Sequence, residues 1–177
     1  MVYGTTIAGK ESGASESKWV AQPFHVPFDS YADYFGAFVG KGADPNNAGM
    51  KLRLVNDNII YGWPGETIAE WSIFPQTASL NWAYADTQPI LLRSRQRYWL
   101  IAIPGDSKFV GQIGLSGGEM WALRSFDQGA YWDDWGFRAA IRVGGYAVPE
   151  FSGFGVLAFI SAALLFSRRR LSVKKTV

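Results

Sequence analysis

The 177-residue sequence contains no cysteine, which excludes a disulfide framework, a thiolate metal site and a thiol nucleophile. It contains one histidine, His25, so a multi-histidine metal centre is excluded and imidazole acid–base chemistry has a single candidate. Residues 1–150 hold no apolar periodicity of helical spacing sustained over three turns, and no amphipathic helix is expected there. The opening residues, Met1-Val2-Tyr3-Gly4-Thr5-Thr6-Ile7, have neither the basic segment nor the apolar core of a secretory signal. No internal repeat is visible.

Positive charge is scarce outside the tail. All 15 acids lie in residues 1–150, whereas five of the 17 bases lie beyond them, so the larger part of the chain is net acidic by about three charges. A nucleic-acid partner therefore has no electrostatic basis. Aromatic residues make up 16% of the chain, with 8 Trp, which suits a β-sandwich core or a surface that meets protein or lipid.

The longest uncharged run is Phe151 to Ser167 (FSGFGVLAFISAALLFS). Phe151, Phe154, Leu157, Phe159, Ile160, Leu164, Leu165 and Phe166 supply its apolar bulk, and only small Ser and Gly interrupt it. At about 1.5 Å rise per residue it covers roughly 26 Å, against a hydrocarbon core of about 30 Å. One transmembrane helix over 151–167 is expected, because a buried core helix would show a polar face. Gly153, Gly155 and Ala162 are small enough for another helix to approach closely. Arg168, Arg169, Arg170, Lys174 and Lys175 then make 168–177 a basic tail, which the positive-inside bias holds in the cytoplasm. Residues 1–150 are accordingly expected on the periplasmic, extracytoplasmic side of the cell inner membrane, exported through a signal that precedes Met1.

Val148-Pro149-Glu150-Phe151-Ser152, followed by the apolar run and the arginine cluster, resembles the PEP-CTERM and PEF-CTERM class of surface-sorting tails. Phe151 occupies the place of proline in the commoner form.

Residues 1–18 are rich in Gly, Ser and Thr and read as an extended arm. From Lys18 on, turn residues recur about every eight to twelve positions between short β-prone runs, the spacing of an all-β, antiparallel sandwich over 19–143. Expected strands include 19–26, 31–39, 50–55, 68–74, 89–92, 97–103 and 136–143. Pro23 points to an edge or bulge for the first. Asn56-Asp57-Asn58 and Trp63-Pro64-Gly65-Glu66 read as turns, and 109–115 with 120–124 as a hairpin through Ser116-Gly117-Gly118. Residues 144–150 form a short linker. The order Gln22-Pro23-Phe24, Leu52-Arg53-Leu54-Val55-Asn56-Asp57, Pro64-Gly65, Ile68-Ala69, Tyr98-Trp99-Leu100 and Phe137-Arg138 is similar to the choice-of-anchor β-sandwich modules. That resemblance covers about 18–143, and it implies a jelly-roll-like sandwich displayed on a surface with no catalytic residues.

Several patterns invite a chemical reading. Gly114-Leu115-Ser116-Gly117-Gly118 matches the nucleophile elbow, but that motif needs a strand-to-helix turn and a later histidine, and the only histidine precedes it. Asp127, Asp133, Asp134 and Glu119 offer carboxylates for glycoside hydrolysis or calcium, in a spacing that also suits a solvated loop. Asn46, Asn47, Asn56, Asp57 and Asn58 fit turns better than ligand sets. His25 between prolines reads as a hydrogen-bonded surface or core histidine rather than an axial ligand. Arg93, Arg95 and Arg97 stand at strand spacing, aimed to one side, where they face an acidic partner, lipid phosphate or solvent.

The sequence thus favours a non-catalytic accessory or structural subunit needing no cofactor or metal. Its sandwich would pack on other membrane-protein subunits of a hetero-oligomeric complex while its helix lies in the lipid bilayer. A photosynthetic reaction centre with its antenna, or a respiratory assembly, are candidate complexes. The second reading is a surface-sorted adhesion or carbohydrate-binding module that uses Trp121, Tyr131, Trp132 and Trp135 as a stacking platform. Those four aromatics and the arginine row are the candidate partner surface.

Overall fold

The computed structural model describes residues 2–4, 6–14, 19–40, 49–75, 80–104, 111–117, 121–134, 136 and 138–148. The chain divides into two compact units, Met1–Ala147 and Val148–Val177. The expected transmembrane helix at 151–167 and the basic tail at 168–177 lie outside the described residues, as does Trp135. Among the described residues no helix is long and apolar enough to cross a membrane.

The described residues of the first unit are all-β, as composition and turn spacing predict. Its strands are β1 (Val2–Gly4), β2 (Thr6–Ala14), β3 (Trp19–His25), β4 (Ser30–Gly40), β5 (Met50–Asn58) and β6 (Trp63–Ile73). They continue as β7 (Asn81–Leu92), β8 (Arg97–Pro104), β9 (Gly111–Gly117), β10 (Leu123–Ser125), β11 (Asp133–Asp134) and β12 (Ile141–Ala147). All pairings are antiparallel. One sheet is organised on β4, which pairs β7 along one edge and β12, then β9, along the other; β1 extends β12 and β2 extends β9. The second sheet runs β11-β10-β3-β8-β5-β6.

The alternation of side chains along each strand decides which face enters the core. Tyr98, Leu100 and Ala102 of β8 join Val20 and Phe24 of β3, Met50, Leu52 and Leu54 of β5, and Phe35, Ala37 and Val39 of β4 in one buried cluster. Both sheets therefore share a single core. The ring of Phe35, fully buried on β4, stacks on Trp71 of β6 with centroids 4.7 Å apart and planes inclined by 19°. The opposite face of β8 is buried too: Trp99, Ile101 and Ile103 pack with Ala21, Val55 and Trp132. Burial on both faces explains why β8 reads as an unbroken apolar run.

Local chemistry accounts for the irregular places. Among the described residues β10 pairs Trp19–Ala21 of β3, so Pro23, which has no N–H to donate, lies beyond that pairing. Gln22, 2% exposed, accepts a hydrogen bond from the Ala139 amide at 2.8 Å and fastens β3 to the approach of β12. The register of β12 against β4 shifts at Gly144/Gly145. A Cβ on Gly144 would overlap the Tyr34 ring and one on Gly145 the Tyr31 carbonyl, so the bulge requires glycine at both.

Four expectations are corrected. Gly111–Gly117 and Leu123–Ser125 belong to different sheets and do not form a hairpin. Asn56-Asp57-Asn58 completes β5 and Trp63-Pro64-Gly65-Glu66 opens β6, so the turn between them is Ile59–Gly62. The segment read as an arm contributes β1 and β2. Gly144 to Ala147, read as linker, is still strand.

Because Phe35 joins the two sheets through an aromatic stack, Phe35→Ala is expected to destabilise the fold by about 3–5 kcal/mol, the range for truncating a buried Phe. Denaturant titration followed by tryptophan fluorescence measures it, and a loss below about 1 kcal/mol would contradict this role.

Candidate functional site

Three connections meet at one end of the first unit. His25 closes β3 opposite Arg97, the first residue of β8. Asn56 of β5 lies opposite Tyr98, and Asn58 opposite Trp63 across the Ile59–Gly62 turn. Ser30, at the start of β4, lies opposite both Leu92 and Ala147. The β5–β6 turn, the β7–β8 turn (93–96) and the end of β12 thus share one end. There, His25, Asp57, Ile59, Arg95, Gln96 and Arg97 line an open cleft of about 410 Å³.

The floor of this cleft is a closed polar network. Asp57 Oδ1 accepts from Arg97 Nε and from Trp99 Nε1, both at 2.8 Å, and Oδ2 accepts from Arg97 Nη2 at 2.9 Å. The Asp57 side chain is only 11% exposed, and the Arg97 guanidinium lies 5.3 Å from the centroid of Trp99. A bidentate, stacked pair of this kind is geometrically fixed. Both Asp57 oxygens are engaged, and the carboxylate holds Arg97 and Trp99 in place. Gln96 donates to Asn56 Oδ1 at 3.2 Å and accepts from the Tyr98 hydroxyl at 3.1 Å. Burial pushes the Tyr98 phenol above its ordinary value.

A second pair braces the β7–β8 turn. Asp29 accepts from Arg93 Nη1 at 2.7 Å, from the Ser94 amide at 2.8 Å and from the Ser94 hydroxyl at 3.0 Å. The Arg93 hydrogen bond, then those from Ser94, hold the Asp29 carboxyl below the usual range.

Two features of the rim remain unpaired. Arg95 is exposed, makes no ion pair among the described residues, and has φ of 65°, a left-handed conformation that a long side chain adopts at a cost. In the neighbouring turn, Asn58 accepts from the Ile60 amide at 3.2 Å through its side chain and from the Gly62 amide at 2.7 Å through its carbonyl. Gly62, at φ 68°, closes the loop. This small hydrogen-bonded turn presents Ile59, Ile60 and Tyr61 at 89%, 80% and 66% exposure.

The structure distributes the sequence-predicted residues differently from a single row or platform. Arg93 and Arg95 lie in a turn and only Arg97 lies on a strand, so the three do not project from one strand face. Trp132 is 4% exposed and belongs to the second apolar cluster, which removes it as a stacking surface. Trp121 is half exposed, with the Arg138 guanidinium 4.8 Å from its ring centroid. Tyr131 is exposed and meets Trp63 edge-on at 5.1 Å, and Trp63 in turn contacts Tyr61 at 5.6 Å. Gly114 to Gly117 is strand, not a strand-to-helix elbow.

Among the described residues the candidate carboxylates do not converge, and Glu119 lies outside them. Asp127 accepts from the Tyr131 amide and the Ser125 hydroxyl, which lower its pKa in that order. Asp133 pairs with Arg124 at 3.0 Å, and Asp134 accepts from the Gly136 amide at 2.8 Å. Among the described residues no three His, Asp or Glu side chains come together as a metal site would require.

Sequence reasoning missed the Ile59–Tyr61 tip and the Asp57–Arg97–Trp99 network. Three consecutive apolar residues between Asn58 and Gly62, both turn formers, were the available signal for the tip. No family model matches the sequence, and no curated protein is significantly similar to it.

Asp57→Ala is expected to cost about 2–4 kcal/mol, since it strands the 2%-exposed Trp99 indole N–H and a half-buried guanidinium. Asp57→Asn, which keeps an acceptor, should lose less; equal stability of Asp57→Ala and the parent in denaturant titration would contradict the network. Asp29 and Asp127, with ordinary values of 3.8, and Glu70, with 4.5 and held down first by Lys51, all have lowered folded-state values. Their stabilisation is complete above those ordinary values and disappears as pH falls through the depressed ones. The denaturation midpoint should therefore drop on acidification, and the Asp29→Asn/Asp127→Asn double variant should show a shallower drop.

Proposed function

We propose that the chain is a non-catalytic, membrane-held accessory subunit: a jelly-roll-like β-sandwich on the extracytoplasmic side, carried by a helix over 151–167 and docked on other subunits of a membrane assembly. The observation that carries this reading is the pairing of exposed apolar surface with committed polar groups. Asp57, Asp29, Asp127 and Asp133 are each engaged by a local partner, whereas Ile59, Ile60 and Tyr61 are held out in water by a well-bonded turn. A turn that keeps two isoleucines exposed is maintained against the hydrophobic effect, about 1.5–3 kcal/mol for each such side chain that a partner could bury. Surfaces of that kind mark contacts with protein or lipid.

The uncharged run with its arginine stop supports the anchor, and the resemblance to sorting tails supports surface display. Purification of the full chain in mild detergent tests the reading. Stoichiometric partner subunits should accompany it, identified by mass spectrometry of the intact complex, and alkaline carbonate should leave it in the membrane fraction. Recovery of the chain alone, or its release by carbonate, would contradict the proposal.

A further inference from the structure

The end that carries the arginine cleft is also the end from which the chain departs toward its apolar run. β12 finishes at Ala147, opposite Ser30, beside the turn braced by Asp29 and Arg93. In sequence, residues 148–150 then precede Phe151. The apolar side chains at this end come from separate connections. Ile59, Ile60 and Tyr61 project from the β5–β6 turn, Phe28 at 42% exposure from the β3–β4 connection, and Tyr146 at 50% from the end of β12. Among them stand the cations. Arg93 and Arg97 are each matched by one aspartate, and Arg95 has no counter-ion among the described residues. Arg95 is thus a cation without an ion pair among the described residues, at an end that also carries Asp33 and Glu66.

We infer that this end is a lipid-facing surface: Ile59, Ile60 and Tyr61 enter the interfacial layer of a bilayer, and Arg95, with His25 and Arg97 across the cleft, receives an anionic lipid headgroup. The inference rests on the anchored reading above and adds to it which surface meets the membrane and which lipid class it selects. Apolar side chains flanked by arginine are what an interface of acyl chains and phosphates accommodates. Tyrosine is suited to the headgroup level, where one end of the ring is apolar and the other wet. Arg95 is held in a left-handed turn position where glycine or asparagine would be less strained, as expected if the cation itself is required there. A flat protein partner would need only the apolar tip; the unpaired arginine beside it favours phosphate.

The absence of native cysteine makes a single-label test possible. The full chain carrying Ile60→Cys is labelled with an environment-sensitive fluorophore and reconstituted into phosphatidylcholine vesicles with and without phosphatidylglycerol. Ser72→Cys serves as reference, because it is exposed on β6 and nine residues from Trp63, about 30 Å along the strand. The expected result is a blue-shifted position-60 emission, quenched by spin-labelled lipid more strongly when phosphatidylglycerol is present, and a position-72 emission that stays that of water. Arg95→Glu should abolish the phosphatidylglycerol-dependent part.

If the chain resists carbonate extraction while position 60 reports water, the lipid-facing assignment is overturned and the anchor stands. If carbonate releases the chain and position 60 reports water, both fall. Position 60 shielded only when co-purified subunits are present would assign the tip to protein and overturn the inference. Quenching indifferent both to phosphatidylglycerol and to Arg95→Glu would overturn the headgroup role.

Discussion

The constraint on which the structure depends is that two six-stranded sheets must bury one face each against the other. β4 is where this is enforced. It is paired along both edges, and its Phe35 stacks on Trp71 of the opposite sheet. With β4 flanked by β7 and β12, and β8 flanked by β3 and β5, strand direction and register are fixed. Those registers bring Ser30, Leu92, Ala147, Arg97 and Asn58 to the same end of the unit. The candidate site is a consequence of sheet pairing, not of any local motif.

At that end, polar satisfaction has been carried nearly to completion on the inside and left incomplete at the rim. Asp57 ties Arg97 to the indole of Trp99, which allows an aspartate at 11% exposure to remain without a buried unpaired charge. Asp29 does the same for Arg93 and the turn that follows it. Those two pairs fix the scaffold, and on it sit Arg95, which has no ion pair among the described residues, and an exposed apolar turn. Functional surfaces are expected where local consistency breaks in this way.

Much of the fold was legible in the sequence because the informative periodicity is short. Met50-Lys51-Leu52-Arg53-Leu54 alternates, and in the structure its apolar residues enter the core while Lys51 and Arg53 pair with Glu70 at 2.9 and 2.6 Å. β8 was recognisable by apolar density alone. Sheet partners were not legible, since adjacency in sequence suggested a hairpin for two strands that lie in different sheets. Turn position between β5 and β6 was missed because Asn56, Asp57, Pro64 and Gly65 are turn-forming residues used here in paired strands that contain register shifts. The arginine row failed for a related reason: spacing of two implies one face only when the residues are extended, and Ser94 and Arg95 are a turn. Trp132 was misjudged because its loop folds it against Trp99 and Ala21, a contact far apart in sequence.

In the proposed arrangement the β-sandwich meets the bilayer through its arginine-lined apolar end. Hydrogen exchange of the full chain, compared between detergent micelles and bilayer discs containing anionic lipid, tests that arrangement most directly. The account predicts that amides of residues 59–62 and 93–96 exchange more slowly in the discs, while those of β6 near Ser72 and of β7 near Trp82 are unchanged. Equal exchange of both turns in the two environments would contradict it.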